Sequence, residues 1–393
     1  MAFDAFARSC SVLSLQRIHM TRRIVISMVL LVGFLASCRP ASEPANPVQA
    51  RDPETPANAG TAAASRSTDR RPAPTESPGD SSGPNPQEEA DRRDMLGLAD
   101  TIARHGDADA LSLAALMRTS ALPQRRAEAE DSPDHLPKMD RTVREWLDAA
   151  ERQAPDDVVA LILAIDLEHF DEARRQALIA RWRALEPRNL VPILLAQRPG
   201  AEMFEAASGA TVYDTHYDDV LRTIFRTVSR TMSPTVLRAQ ARRAGMSPEA
   251  FPASVAMGYR AAESMPWFPQ LTNLCLPERV PEPLRAQCVG VARVMLDRGD
   301  DLMSEVLGAQ IVARHAATAA ARRDAGERIR AGRWLSLQSG NAEMSDPQRS
   351  LERLADALGG DGAFTEQAWM RQLVVKAGYS STPPPGWQPG QSP

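Results

Sequence analysis

The 393-residue chain has few aromatic residues, almost no lysine, no excess of positive charge and only four cysteines. Each shortage excludes something. Aromatic side chains make up 5% of the sequence, too few for a protein built on sheets, whose strands draw on aromatic and β-branched residues. Alanine is abundant instead and favours helices packed through small side chains, so an all-α fold is expected. The formal net charge of −4 makes the chain a poor candidate for a nucleic-acid binder, which works by neutralising phosphates. Lys138 and Lys376 are the only lysines, and this bias toward arginine is read as base composition rather than chemistry. Long apolar runs are missing as well. A spanning helix needs about 20 consecutive apolar residues, and a composition that is 43% hydrophobic and 24% charged suits a globular protein, not a multi-span membrane one.

Catalytic signatures are also absent. The sequence contains no His-Glu-x-x-His, no Ser-x-x-Lys and no Cys-x-x-Cys, and its Gly-x-Ser-x-Gly match at Gly79-Asp80-Ser81-Ser82-Gly83 lies in a proline-rich stretch rather than on a strand-to-helix turn. Gly359-Gly360-Asp361-Gly362 is glycine-rich, but it lacks the lysine and the preceding strand of a phosphate cradle. No cofactor and no metal is implied. The expectation leans away from an enzyme.

What is present begins near the N-terminus. Met20-Thr21-Arg22-Arg23 is followed by an apolar run, Ile24–Leu35, and then by Ala36-Ser37-Cys38. A cationic start, a hydrophobic stretch and small residues before a cut are the three parts of a secretory signal. Leu35-Ala36-Ser37-Cys38 resembles the lipobox of bacterial lipoproteins. That resemblance implies cleavage before Cys38, a diacylglycerol thioether on its sulfur and N-acylation, so residues 1–37 are expected to be removed and Met20 to be the true start. Arg8, Arg17, Arg22 and Arg23 leave with Asp4, making the mature chain more acidic. Position 39 is Arg rather than the aspartate that commonly retains such proteins at the inner membrane. The resemblance therefore implies an outer-membrane address facing the periplasm. Several acyl chains hold a protein durably, at roughly 0.8 kcal/mol for each buried methylene.

Residues 38–87 are dominated by proline, alanine, serine and threonine. Such a segment buries too little apolar surface to offset the entropy of ordering, so it is expected to be a disordered, semi-extended tether. Ser380–Pro393, with Pro383-Pro384-Pro385, is expected to be a disordered tail. Between them, residues 88–379 carry helical periodicity. Val143, Trp146, Leu147 and Ala150 share one helix face, as do Leu178, Trp182 and Leu185; Leu221, Ile224, Phe225 and Val228; and Leu302, Met303, Val306 and Leu307. Val158–Ile165 is apolar all round and predicts a buried central helix. Ser233-Pro234 and Ser247-Pro248 predict helix starts, and Gly245 a left-handed helix end. His105-Gly106-Asp107 and Arg298-Gly299-Asp300 predict equivalent turns, glycine ending one helix and aspartate capping the next. Pro155 and Pro187 bracket two helical patterns. Their spacing resembles tetratricopeptide-type arrays, which implies stacked antiparallel helical hairpins over about 130–210.

Cys275 and Cys288 are the only other cysteines of the mature chain. In the oxidising compartment that the lipobox implies, they are expected to form a structural disulfide. The alternatives are a redox pair, which usually has Cys-x-x-Cys spacing, and a metal site, which would want neighbouring histidines. Tyr213-Asp214-Thr215-His216-Tyr217-Asp218-Asp219 concentrates aromatic, basic and acidic groups. Asp214, His216 and Asp218 are the candidate ligand or acid–base residues, set against a plain helix N-terminus with capping aspartates. Asp166, Glu168 and His169 form a second cluster at a helix end. Arg222, Arg226 and Arg230, then Arg238, Arg242 and Arg243, form a basic stripe that either receives an anionic partner or is simply solvated. The functional expectation is a cell-envelope lipoprotein, held to the membrane by its lipid, whose helical domain binds an envelope protein as scaffold, adaptor or immunity factor. The alternative is an envelope hydrolase or ligand-binding enzyme centred on Tyr213–Asp219.

Overall fold

The computed structural model describes residues 86–122, 139–168, 171–196, 200–262, 267–277, 280–299 and 301–390. The expected signal segment, Cys38, most of the expected tether, His169 and Asp300 lie outside the described residues. Within them the fold is all-α. Sixteen helices follow one another: α1 (Pro86–Ala103), α2 (Ala108–Ala121), α3 (Arg141–Gln153), α4 (Val158–Leu167), α5 (Glu172–Leu185), α6 (Leu190–Ala196), α7 (Ala201–Ala207), α8 (Tyr217–Thr231), α9 (Pro234–Arg243), α10 (Ala250–Ala262), α11 (Trp267–Cys275), α12 (Glu282–Arg298), α13 (Leu302–His315), α14 (Ala319–Ser345), α15 (Pro347–Gly359) and α16 (Glu366–Lys376). Among the described residues no strand forms, only an isolated parallel bridge between Asn189 and Val212.

Short polar side chains set where the helices begin. Asp107, Asp140, Asp157, Asp171, Ser233, Asp301, Thr318, Asp346 and Thr365 each accept a backbone N–H from the first turn that follows. A cap of this kind contributes about 1 kcal/mol. Gly245 ends α9 at φ +70°, with Met246 N–H donating to Ala241 O and Gly245 N–H to Arg242 O, the paired bonds of a left-handed helix stop. The two glycine–aspartate turns are not equivalent. Gly106 sits at φ +74° and Asp107 caps α2. Gly299, in contrast, is extended at φ −72°, and Asp301 rather than Asp300 caps α13. Glycine is needed at 299 for space, because a Cβ there would lie 2.4 Å from Met295 O.

Sequential neighbours pair: α1 with α2, α2 with α3, α4 with α5, α12 with α13 and α13 with α14. Pro155 and Pro187 follow α3 and α5, so they punctuate two successive helix pairs, α3–α4 and α5–α6. Packing extends beyond neighbours. Helix α8 touches α1, α2, α4, α10 and α15, and Val220, Leu221, Ile224, Phe225 and Val228 are all buried there. Helix α4 lies among α2, α3, α5 and α8, which is why its sequence is apolar on every side. Two of the expected core positions face out: Leu185 is 37% and Met303 61% exposed. Leu185 is the last residue of α5, where Ile179 takes the core position instead.

Cys275 and Cys288 are bonded, with their Cα atoms 5.6 Å apart, and both are fully buried. The bridge ties the end of α11 to α12. Closing so short a loop contributes up to about 3 kcal/mol on the chain-entropy view. Residues 380–390 do not trail away as expected. They pack on α14, with Pro383 and Trp387 buried.

Candidate functional site

The segment from Tyr213 to Asp219 joins α7 to α8 and is fixed from beneath by Asn189. The Asn189 side-chain amide donates to Asp214 O at 2.7 Å, and its oxygen accepts Asp214 N–H and Val191 N–H, each at 3.1 Å. Leu190 N–H donates to Val212 O at 2.9 Å. Tyr213 is fully buried, and Tyr217 nearly so. The aromatic pair therefore packs the approach to α8, as a helix start would require.

His216 precedes α8 with φ +53° and ψ +23°, the sole non-glycine at positive φ among the described residues. This left-handed geometry is costly for a side chain bearing a Cβ. It is held by charge and hydrogen bonds on both ring nitrogens. Nε2 lies 2.8 Å from Glu186 Oε1, and Nδ1 lies 3.3 Å from Asp219 Oδ2 and 3.9 Å from Asp214 Oδ1. The His216 backbone N–H donates to Asp214 Oδ1 at 2.8 Å. Glu186, at the C-terminal end of α5, is itself oriented. Its Oε2 accepts the Trp182 indole N–H and the Asn189 amide, each at 2.8 Å. The Trp182 and His216 rings approach to 6.3 Å.

The electrostatics follow. Burial works against a charged imidazole, but Asp214, Glu186 and Asp219 together hold the His216 pKa above the ordinary histidine value. Burial likewise works against the Glu186 carboxylate, yet Asn189, Trp182 and His216 hold it below the usual glutamate value. The pair thus favours imidazolium and carboxylate. An imidazolium with carboxylates at both nitrogens has no lone pair to accept a proton or bind a metal. As built, the group is a clamp between the end of α5 and the start of α8.

Asp218 is not part of this clamp. Its Oδ1 accepts the Glu366 N–H at 3.1 Å, at the start of α16. Glu366 in turn accepts Leu302 N–H through Oε2 at 3.4 Å, at the start of α13, beside the cap residue Asp301. Three helix N-termini therefore meet around Asp218, Glu366 and Asp301. Burial raises the Asp301 carboxyl to about 6 against the hydrogen bonds from Ser304, and Glu366 adds to the rise.

Several of the other sequence-predicted groups are engaged in the fold. Asp166 accepts the Tyr259 hydroxyl at 2.5 Å and is pushed up to about 6 by burial. Glu168 is fully buried and paired with Arg144 at 2.6 Å and Arg174 at 2.9 Å, uniting α3, α4 and α5. In the arginine stripe, Arg230 pairs with Asp107, Arg243 with Asp94, and Arg222 donates to Gly362 O. Much of that stripe ties α8 and α9 to α1, α2 and the loop before α16. Among the described residues no three His, Cys, Asp or Glu side chains are arranged to hold a metal ion. Nor is any described helix long and apolar enough to cross a membrane.

No protein-family model, curated protein or solved structure matches the chain. Sequence reasoning located His216 and Asp214 but missed Glu186, Asn189 and Asp219. Glu186 lies thirty positions before His216. The available signal was the cluster Trp182, Glu186 and Asn189, polar groups spaced so that all fall at one helix end.

Proposed function

We propose that the chain is a lipid-anchored protein of the cell envelope, whose helical domain binds an envelope protein at the periplasmic face of the outer membrane. The observation that carries this reading is Leu35-Ala36-Ser37-Cys38 closing the apolar run Ile24–Leu35 behind Arg22 and Arg23. The buried Cys275–Cys288 disulfide suits an oxidising compartment. A proline-rich tether between anchor and domain gives the domain reach, and paired helices offer extended surfaces for protein contact. A scaffold, adaptor or immunity role fits that combination. An envelope hydrolase at Tyr213–Asp219 is less well supported, because both His216 ring nitrogens already face carboxylates of the fold and Asp218 is engaged by α16.

The test is crosslinking in intact cells with the full lipoprotein and with Cys38→Ser. The wild type is expected to fractionate with membranes and to yield one partner in near-equal amount, lost when residues 86–390 are deleted. The variant is expected to leave the membrane fraction. A wild type that stays soluble, or that yields only abundant envelope proteins, contradicts the proposal.

A further inference from the structure

The C-terminal segment is seated like a bound peptide. Helix α16 ends at Gly378, φ +83°, with Tyr379 N–H donating to Val374 O. The chain then crosses α14 without forming a helix or strand of its own. Two donors on α14 grip its backbone. The Trp334 indole N–H donates to Ser380 O at 2.8 Å, and Arg330 Nη1 donates to Pro384 O at 3.3 Å. Pro384-Pro385-Gly386-Trp387 closes a turn, with Trp387 N–H on Pro384 O at 3.2 Å and Gly386 at φ +77°. Proline second and a positive-φ glycine third is the type II pattern. The turn returns Trp387 onto Trp334 edge-to-face, with ring centroids 5.0 Å apart and planes at 73°. Both indoles are nearly buried, Trp334 at 5% and Trp387 at 6% exposure.

An aromatic platform plus side-chain donors aimed at prolyl-segment carbonyls is the chemistry by which grooves recognise proline-rich peptides. Outside any helix and exposed along most of its length apart from Pro383 and Trp387, the segment is of the kind that opens without global unfolding. We infer that the Trp334–Arg330 surface of α14 is a recognition site for a proline-rich partner segment carrying a Pro-Pro-Gly-aromatic turn, and that residues 380–390 occupy it as an internal pseudo-ligand. The inference rests on the partner-binding reading above and names the chemistry of that partner. The tail makes the site autoinhibited. A partner must displace a competitor tethered at about millimolar effective concentration.

The test uses two fluorescein-labelled peptides: residues 378–393, and an unrelated sequence holding the same Pro-Pro-Gly-Trp turn. Each is titrated by anisotropy into the intact mature chain, a chain ending at Tyr379, and the full-length Trp387→Ala variant, which frees the site without shortening the protein. Circular dichroism checks that the opened forms remain helical. Saturable binding of both peptides to the opened forms is expected. Affinity for the intact chain should be about 10-fold weaker or more, given a tethered competitor, and Trp387→Ala in the peptide should abolish binding. The proposal is overturned if neither helical opened form binds, if intact and opened chains bind equally, or if the second peptide fails where the first succeeds. It is also overturned if the intact chain dimerises with concentration by exchanging tails. None of these outcomes depends on Cys38, so localisation stands or falls separately.

Discussion

At the scale of single residues, His216 combines an unfavourable backbone with favourable electrostatics. Asparagine tolerates the left-handed region far better than alanine does. His216→Asn therefore removes the charge bridge to Glu186 and Asp219 while keeping a residue suited to φ +53°. His216→Ala loses both. Urea unfolding at pH 6 should show His216→Ala destabilised by about 2 kcal/mol or more, with His216→Asn about 1 kcal/mol less affected. Equal stability of all three chains would remove the clamp from the account. The sign with pH is fixed by the two shifts. A histidine raised above 6.5 contributes fully below that value and loses its contribution as pH climbs through its folded pKa. A glutamate held below 4.5 contributes above that value and loses its contribution as pH falls through its folded pKa. The wild-type advantage over His216→Asn is thus greatest between about pH 4.5 and 6.5 and shrinks as pH rises further through the raised His216 pKa.

Asp301 behaves oppositely to a usual carboxylate. Its folded pKa of about 6 lies above the ordinary 3.8, so between those values the folded state binds the extra proton. Stability then falls as pH rises through that window and is level above it, with a total effect of up to about 3 kcal/mol. Asparagine caps helices as well as aspartate. Asp301→Asn should be at least as stable as the parent in denaturant titrations at pH 7.5, with a flatter dependence between pH 4 and 6.5. A loss of more than about 1 kcal/mol would show that the charged cap is needed.

Among elements, the buried face of helix α8 was legible at Leu221, Ile224, Phe225 and Val228, which share one face of a 3.6-residue period, but not at Val220, Thr227 or Thr231, which are buried as well. The same periodicity misled at α5 and α13. On α13 the core side holds Leu302 and Leu307, and Met303, about 100° round the helix from Leu302, is left exposed. Helix starts were legible at Ser233 and Asp107, where a cap residue precedes a periodic run, whereas at α13 the cap is Asp301 and not the expected Asp300. Glu186 was not, because its bond to His216 depends on how α5 meets α8, and no local pattern encodes that meeting. Close helix contacts were equally hidden. Gly308 lies mid-helix in α13, where glycine normally costs stability. A Cβ there would stand 2.6 Å from Ala292 O and 2.9 Å from Leu296 N, both backbone atoms of α12. Gly308→Ala should therefore destabilise by about 1–3 kcal/mol despite alanine's higher helix propensity, as read by thermal unfolding. An unchanged or raised melting temperature would mean that α12 and α13 are less tightly apposed.

Across the whole molecule, composition divides the sequence into an apolar run ending near Cys38, a stretch rich in proline, alanine and serine, and a helical body. The all-α fold was legible from sparse aromatics and 3.6-residue patterning. The seating of residues 380–390 was not, because three prolines and a glycine read as a loose end until Trp334 is brought beneath Trp387. Composition registers the lack of periodicity in such a segment but not the partner surface that orders it. The central claim concerns how this body is held in the cell, and one measurement addresses it directly: intact mass and N-terminal peptide analysis of the mature protein purified from membranes. The account predicts a chain beginning at Cys38, its sulfur carrying diacylglycerol and its amino group an acyl chain. A mature chain that starts elsewhere, or begins at Cys38 without lipid, contradicts it.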